Sequence, residues 1–221
     1  MDIHKPKPWH GVREFLKEFG VIVLGVLVAL GAEQSVEWLH RQAEVREARA
    51  ALRAEIADDM MWAQLNQRRQ VCNDRYLQRY VIWAEGGPAP APAPPGAGRL
   101  IELFSTSWDV VKAGPVASMP LKEKLAFARF YGQVADYNTM AERERTAIIR
   151  LGEHSGLKRL SAEQADSLLK ATTALRGIES TLVLMAGGVR SRGVLAGGAT
   201  SPATPEIVAQ IEAFCHVAGV D

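Results

Sequence analysis

The two cysteines of this chain, Cys72 and Cys215, are the residues best suited to covalent chemistry. Two cysteines are too few for a disulfide-rich scaffold or a four-cysteine zinc site, but they can form one bridge. Each lies on the apolar side of a predicted helix, so a bridge would tie the last helix to a long first one. We predict this disulfide for an oxidising compartment; in the cytoplasm both residues would remain buried thiols that pack as small hydrophobic side chains.

The other reactive residue types lack the spacing that catalysis or metal binding needs. The histidines are His4, His10, His40, His154 and His216. They form no His-x-x-x-His pair, and neither cysteine lies in a cysteine-hydrolase signature. The glycine-rich segment 187–198 lacks the Gly-Lys-Ser/Thr ending of a phosphate loop, and its Arg190 and Arg192 are interpreted as solvating a loop. We therefore expect no catalytic residue, no cofactor or cofactor-binding residue and no metal ligand, and we do not expect an enzyme.

Charged residues elsewhere are interpreted as helix surface. Asp58-Asp59 and the run Glu142 to Arg145 fit solvated helix faces. The formal net charge of the 221 residues is +1, which gives no reason to expect a nucleic-acid partner. Aromatic residues make up only 7% of the chain, and alanine-rich stretches favour helices over sheets.

The elements that position these residues begin with an apolar run, Phe19 to Ala32, of fourteen residues without a polar side chain. A membrane-spanning helix needs about 20 mainly apolar residues. Phe15 and Leu16 extend the run, and the long stems of the charged residues between can snorkel, which gives about 18 usable residues or roughly 27 Å of helix. We predict a signal anchor that spans a lipid bilayer.

Two other interpretations of the apolar run remain open. A cleaved signal peptide would use the preceding basic residues and a small-x-small site at Ala29-Leu30-Gly31. A buried core helix is the other, although the run is apolar on every face. Against cleavage, no proline or glycine follows Gly31 until Gly86, so the apolar helix should continue into a charged one.

The flanking charges indicate an orientation. Four Lys or Arg residues precede the run and three follow within twenty residues. The positive-inside rule therefore favours a cytoplasmic N-terminus and a periplasmic domain, at a bacterial inner membrane. Within the span, Gly25 and Ala29 form one small-x-x-x-small step that would let two spans pack closely. Beyond the lipid bilayer, the expected partners are a second copy or other envelope proteins.

Composition divides the chain into five segments. We predict a cytoplasmic tail at 1–11, a transmembrane anchor at 12–38, a stalk and long bundle helix at 39–85, a Pro/Ala/Gly linker at 86–98 and the rest of the helical bundle at 99–221. No alternating strand pattern occurs. The predicted fold class is all-α: a single N-terminal transmembrane helix that continues into a long helix packed in a helical bundle.

Steps of three and four residues predict which helix faces form the core. The long helix should bury Leu52, Ile56, Met60, Met61, Leu65, Cys72, Tyr76, Tyr80 and Trp83. A helix after Pro120 should bury Leu121, Leu125, Ala128, Tyr131, Ala135, Ile148 and Leu151. A helix opened by a Ser161/Gln164 capping box should bury Leu168, Ala171, Leu175, Ile178, Leu182 and Met185, and should fray in the Gly187 to Gly198 region. A last helix should begin after Thr204, and Trp108 should anchor a core.

Two stretches of the chain resemble a known group of proteins. Arg13 to Phe19, Val23 to Leu27 and Ala29 to Gln34 are similar to the N-terminal anchor of uncharacterised bacterial single-pass membrane proteins. Ser107-Trp108-Asp109 with Gly114, followed by Phe130-Tyr131, resembles a weaker second pattern in them. The resemblance covers about 30 residues firmly. It implies the membrane topology and an all-helical outer domain, with no known activity or catalytic residue. On all these grounds we predict a structural or protein-interaction role, with two alternatives: a sensor-like ligand-binding bundle, or a secreted helical domain after signal-peptide cleavage.

Overall fold

The part of the chain that the structure describes is mostly helical. This computed structural model describes residues 11–90, 101–154 and 157–217, and no β-strand occurs within them. The helices are α1 (Val12–Ala84), α2 (Thr106–Val111), α3 (Leu121–Gly152), α4 (Ala162–Leu195) and α5 (Pro205–Val217), with a 3₁₀ turn at Pro115–Ser118. The all-α prediction is confirmed. Most of the predicted tail and residues 91–98 of the predicted linker lie outside the described residues.

The chain forms two compact units, residues 1–47 and residues 48–221. In the first unit, the apolar side chains of α1 are exposed on all sides of the helix, for example Val21 (71%), Leu24 (63%) and Val28 (64%). No residue of its most apolar 18-residue window is buried, and the segment is long and apolar enough to cross a membrane. After it, Glu37 and Arg41 form an i,i+4 ion pair of 3.2 Å.

Helix α1 runs from Val12 to Ala84 without interruption and ends in a glycine cap. Gly86 has φ +96°, a conformation that suits glycine because it has no Cβ. The Gly86 N–H donates to the Trp83 carbonyl at 3.0 Å, and the Gly87 N–H donates to the Ile82 carbonyl at 2.9 Å. These are the two hydrogen bonds of a Schellman motif, which satisfies the last carbonyls of the helix.

In the second unit, α1, α3 and α4 pack through buried residues that recur every seven positions. In α4 they are Leu168, Leu175, Leu182 and Val189, alternating with Thr172, Glu179, Ala186 and Gly193. In α3 they are Phe130, Tyr137, Glu144 and Leu151, alternating with Phe127, Val134 and Ala141. In α1 they are Leu52, Asp59, Asn66 and Asn73, alternating with Ile56, Ala63, Gln70 and Leu77. This heptad spacing is that of coiled coils and helix bundles.

Contacts at both ends show that α3 runs parallel to α1. Arg49 of α1 forms a 2.7 Å ion pair with Glu123 near the start of α3. Leu77 and Trp83, near the end of α1, pack with Leu151 near the end of α3. The chain must therefore return along the bundle between these two helices, and residues 101–120 belong to the described part of that return.

Part of this return, residues 101–103, is held by two asparagine side chains. Asn66 of α1 donates to the Ile101 carbonyl at 3.0 Å and accepts from the Ile101 N–H at 3.3 Å. Asn138 of α3 makes the same pair of bonds with Leu103, at 2.8 and 2.9 Å. Each amide thus pairs both backbone groups of one residue, as a neighbouring β-strand would, and lets extended backbone lie against helices.

The predicted core face of α3 was wrong for most of its length. Leu121 is 69% exposed and Leu125 is 44% exposed, and Ala128 and Ala135 are also exposed. Ile148 is half-buried. Only Tyr131 and Leu151 of the predicted face are buried. The buried stripe starts at Phe127, one position from the predicted Ala128, and one position turns a helix face by about 100°. The large aromatic side chains bury more apolar area than the alanines, and they determine the face.

Helix α4 passes through Gly187 and ends at Leu195, within the Gly187 to Gly198 region where we expected it to fray. The Ser161/Gln164 capping box at its start is confirmed. At its end, a Cβ on Gly193 would lie 2.4 Å from Met60 Sδ and 3.3 Å from Ile56 Cγ2. The glycine therefore allows α4 to approach α1 closely, so it serves packing rather than fraying.

Candidate functional site

The two cysteines meet between α1 and α5. In the structure a disulfide joins Cys72 to Cys215, with a Cα–Cα distance of 5.0 Å. Around it, Tyr76 of α1 and Phe214 of α5 are buried, and Tyr80 packs against them. The bridge therefore links the C-terminal helix to the long helix at an aromatic cluster.

The two small residues proposed for span packing lie in the first unit. Gly25 and Ala29 are exposed. A Cβ on Gly25 would meet no atom within 4 Å, so the step is open to another helix.

Trp108, expected to anchor a core, is half-buried and stacks on Tyr131 with ring centroids 5.1 Å apart and planes 12° apart. This stacking packs α2 against the side of α3, away from the centre of the bundle.

Polar side chains occupy the middle of the second unit. Among them Gln70, Asn73, Glu144 and Glu179 are each at most 5% exposed, and Arg69 is 8% exposed. The Asn73 amide donates to Glu179 Oε1. Glu144 and Glu179 both attract the Arg69 guanidinium, so two carboxylates share one cation here. We call these five residues the polar layer.

Burial and charge change the protonation of the polar layer. Burial raises the pKa of Glu179 to about 8, and the nearby negative charge of Glu144 raises it further, while the Asn73 hydrogen bond opposes the rise. Burial lowers the pKa of Arg69, against the attraction of Glu144. The pKa of Glu179 therefore favours its protonated form at neutral pH.

A cleft opens beside the polar layer, between α1 and α4. Its volume is about 250 Å³. Its lining consists of Gln70, Val71, Asp74, Arg75, Arg176, Glu179, Ser180 and Val183. Within the described structure, three polar atoms of this lining are buried without a hydrogen-bond partner: Gln70 Nε2, Gln70 Oε1 and Glu179 Oε2. Polar groups so placed are rare in folded proteins and call for an explanation.

A second acidic group holds the start of α2. Asp59 Oδ1 accepts a 2.8 Å hydrogen bond from the Phe104 N–H, and Glu55 Oε2 accepts one of 2.8 Å from the Ser107 N–H. Burial raises the pKa of Asp59 to about 8, and the charge of Glu55 adds to the rise. Burial and the adjacent Glu55 also raise the pKa of Tyr131. The Asp59 and Glu55 carboxylates thus accept hydrogen bonds from the backbone of the segment that leads into α2.

The sequence prediction of solvated acidic surface was wrong at two positions. Asp59 is fully buried and Glu144 is 1% exposed, although their neighbours Asp58 and Glu142 are exposed. Glu179 was not singled out at all, because Ile178 beside it was preferred for the core. The seven-residue spacing of Leu168, Leu175 and Leu182 could have revealed it, because Glu179 lies four positions after Leu175, at the second buried position of that heptad.

The remaining candidates do not converge on one site. His40 and His216 are exposed and His154 is buried, while His4 and His10 lie outside the described residues. Arg190 donates to Gln67 Oε1 at 3.4 Å, which joins α4 to α1. Among the residues that the structure describes, no three His, Cys, Asp or Glu side chains are grouped to hold a metal ion.

Comparison with protein-family models, with curated proteins and with solved structures finds no match for this chain.

Proposed function

We propose that this chain is a bacterial inner-membrane protein with one N-terminal span and a periplasmic helical domain that has a structural or protein-interaction role. One observation carries the proposal: the apolar N-terminal part of α1 exposes its side chains on every face, with none of its most apolar window buried. Exposure of so much contiguous apolar surface to water is unfavourable, whereas a bilayer removes it from water. The uninterrupted helix favours an uncleaved anchor over a signal peptide.

The periplasmic orientation is supported by charge and by the cysteines. Four Lys or Arg residues precede the run and three follow it, the asymmetry that favours a cytoplasmic N-terminus. Cys72 and Cys215 form a disulfide in the structure, and such bonds persist outside the cytoplasm.

A structural or interaction role is supported by where the polar groups lie. The polar layer is enclosed by α1, α3 and α4, where such groups fix the register of packed helices at some cost in stability. The expected partners are the lipid bilayer, other envelope proteins, and a second copy of the chain that packs along Gly25 and Ala29.

The test is a reporter that is active only outside the cytoplasm, fused after Asp221, with fractionation of the cells. Activity in the membrane fraction is the expected result. Activity in the soluble fraction would instead indicate cleavage near Ala32 and a secreted domain. Absence of activity, with the fusion shown to be intact by immunoblot, would indicate the opposite topology, with the domain in the cytoplasm.

A second function, a sensor-like ligand-binding bundle, is favoured by one specific observation. The cleft between α1 and α4 contains buried polar atoms without partners, which a bundle built only for packing would not need.

A further inference from the structure

The floor of the cleft between α1 and α4 is built from two deeply buried side chains. Gln70 and Glu179 are each 3% exposed. Both amide atoms of Gln70, one donor and one acceptor, have no hydrogen-bond partner in the described structure, and neither does Glu179 Oε2. A ligand that carries both hydrogen-bond donors and acceptors would satisfy these three atoms.

The floor favours a group with several hydrogen-bond donors. Glu179 Oε2 and Gln70 Oε1 are both acceptors without a partner among the described residues, and an ionised Glu179 would attract a positive charge. A primary ammonium has three N–H donors and one positive charge. It could pair with Glu179 Oε2 and also donate to Gln70 Oε1.

The rim carries the opposite charge. Arg176 is engaged with Asp74 at 2.6 Å, whereas Arg75 is exposed and forms no ion pair among the described residues. Arginine binds carboxylates through two parallel hydrogen bonds. The remaining walls include the apolar side chains of Val71 and Val183.

We propose that this cleft binds a zwitterionic amino acid with a short aliphatic side chain. Its ammonium would pair with Glu179 and Gln70, its carboxylate with Arg75, and its side chain would lie against Val71 and Val183. The volume of about 250 Å³ suits a ligand of this size. The proposal names the ligand class of the sensor-like alternative and rests on it.

Binding of this ligand should release a proton. Glu179 is mostly protonated at neutral pH because burial raises its pKa to about 8, and the arriving ammonium favours the ionised carboxylate. The charged groups around it are Arg69 and Asp74 from α1, Glu144 from α3 and Arg176 from α4 itself. We expect a net release of protons on binding at pH 7, and affinity that rises between pH 6 and pH 8.

Isothermal titration of the full chain in lipid nanodiscs tests the proposal, with L-leucine and L-valine as probes. Two analogues dissect the contacts: 3-methylbutylamine lacks the carboxylate, and 4-methylpentanoate lacks the ammonium. Titration in phosphate and in Tris measures proton release, because the two buffers differ in ionisation enthalpy. We expect at least one amino acid to bind, and each analogue to bind at least tenfold more weakly.

Glu179→Gln is the matched variant, because glutamine resembles the protonated acid and should fold; melting followed by circular dichroism checks this. It should abolish proton release and weaken binding at least tenfold, whereas Glu153→Gln, at an exposed position on the same protein, should change neither. Binding of neither amino acid at millimolar concentration, or unchanged binding by the folded Glu179→Gln protein, would overturn the proposal. Neither outcome bears on the membrane topology, which the reporter fusion tests separately.

Discussion

Loss of the Cys72–Cys215 disulfide should greatly destabilise the second unit. The two cysteines are 143 positions apart in the sequence. In the chain-entropy model, closing a loop of that length lowers the entropy of the unfolded chain by about 17 cal/mol/K, or about 5 kcal/mol at 25 °C. A typical domain has a free energy of unfolding of about 5 to 15 kcal/mol, so this is a large share of it.

The assay is guanidinium unfolding of the full chain in detergent, followed by tryptophan fluorescence. The double variant Cys72→Ala/Cys215→Ala is compared with the oxidised protein. The wild-type chain treated with a reductant is the control, because it loses the bond but keeps both sulfur atoms in place. The variant and the reduced protein should lose similar amounts of stability, about 3 to 5 kcal/mol.

The loss should also be local. Only Phe214 of α5 is among the buried apolar residues of the described structure, so α5 has little other burial to hold it. Amide hydrogen exchange in α5 should become fast without the bond, while α4 stays protected. A loss of stability below about 1 kcal/mol, or unchanged protection of α5, would show that the disulfide does not hold this helix in place.

Three further changes test the core. Burial raises the pKa of Glu179 from 4.5 to about 8, so the folded chain keeps a proton that the unfolded chain has lost, and this group should lower the free energy of unfolding by about 3 to 4 kcal/mol between pH 5 and pH 8. Burial raises the pKa of Asp59 to about 8 as well, so Glu179→Gln should remove roughly half of the total fall in chemical unfolding curves, and an unchanged slope would contradict this. Asn138→Ala removes both hydrogen bonds to the buried Leu103 backbone and should cost about 2 to 4 kcal/mol in the same assay, whereas a loss under 0.5 kcal/mol would mean that water replaces them. Gly193→Ala should lower the melting temperature, at a cost of about 1 to 3 kcal/mol, because the added Cβ would lie 2.4 Å from the buried Met60 Sδ. Gly177→Ala is the control, because its Cβ would meet open space on the same helix, and it should raise stability by about 1 kcal/mol. Shifts of the same sign for both variants would argue against close packing of α4 on α1 at Gly193.

The parts of the fold that follow from local pattern were predictable. The apolar run, the Ser161/Gln164 capping box and the leucines at 168, 175 and 182 each lie within one stretch of sequence. They give the long exposed helix and the core of α4 without knowledge of the rest of the chain.

The polar layer was not predictable in the same way. A glutamate at position 179 or an aspartate at position 59 resembles helix surface until its partners are known, and those partners lie on other helices. The asparagines that hold residues 101–103 depend likewise on the return of the chain along α1. The face of α3 was mispredicted because the choice between neighbouring registers depends on which aromatic side chains fill the space between α1 and α4.

Protease treatment of spheroplasts that contain the native full chain tests whether the helical domain lies in the periplasm. With the outer membrane removed and the inner membrane intact, we expect the domain after residue 38 to be digested and a small fragment with the N-terminal span to stay in the membrane. A chain that survives intact in spheroplasts, yet is digested in inverted inner-membrane vesicles, would place the domain in the cytoplasm and contradict the proposed topology.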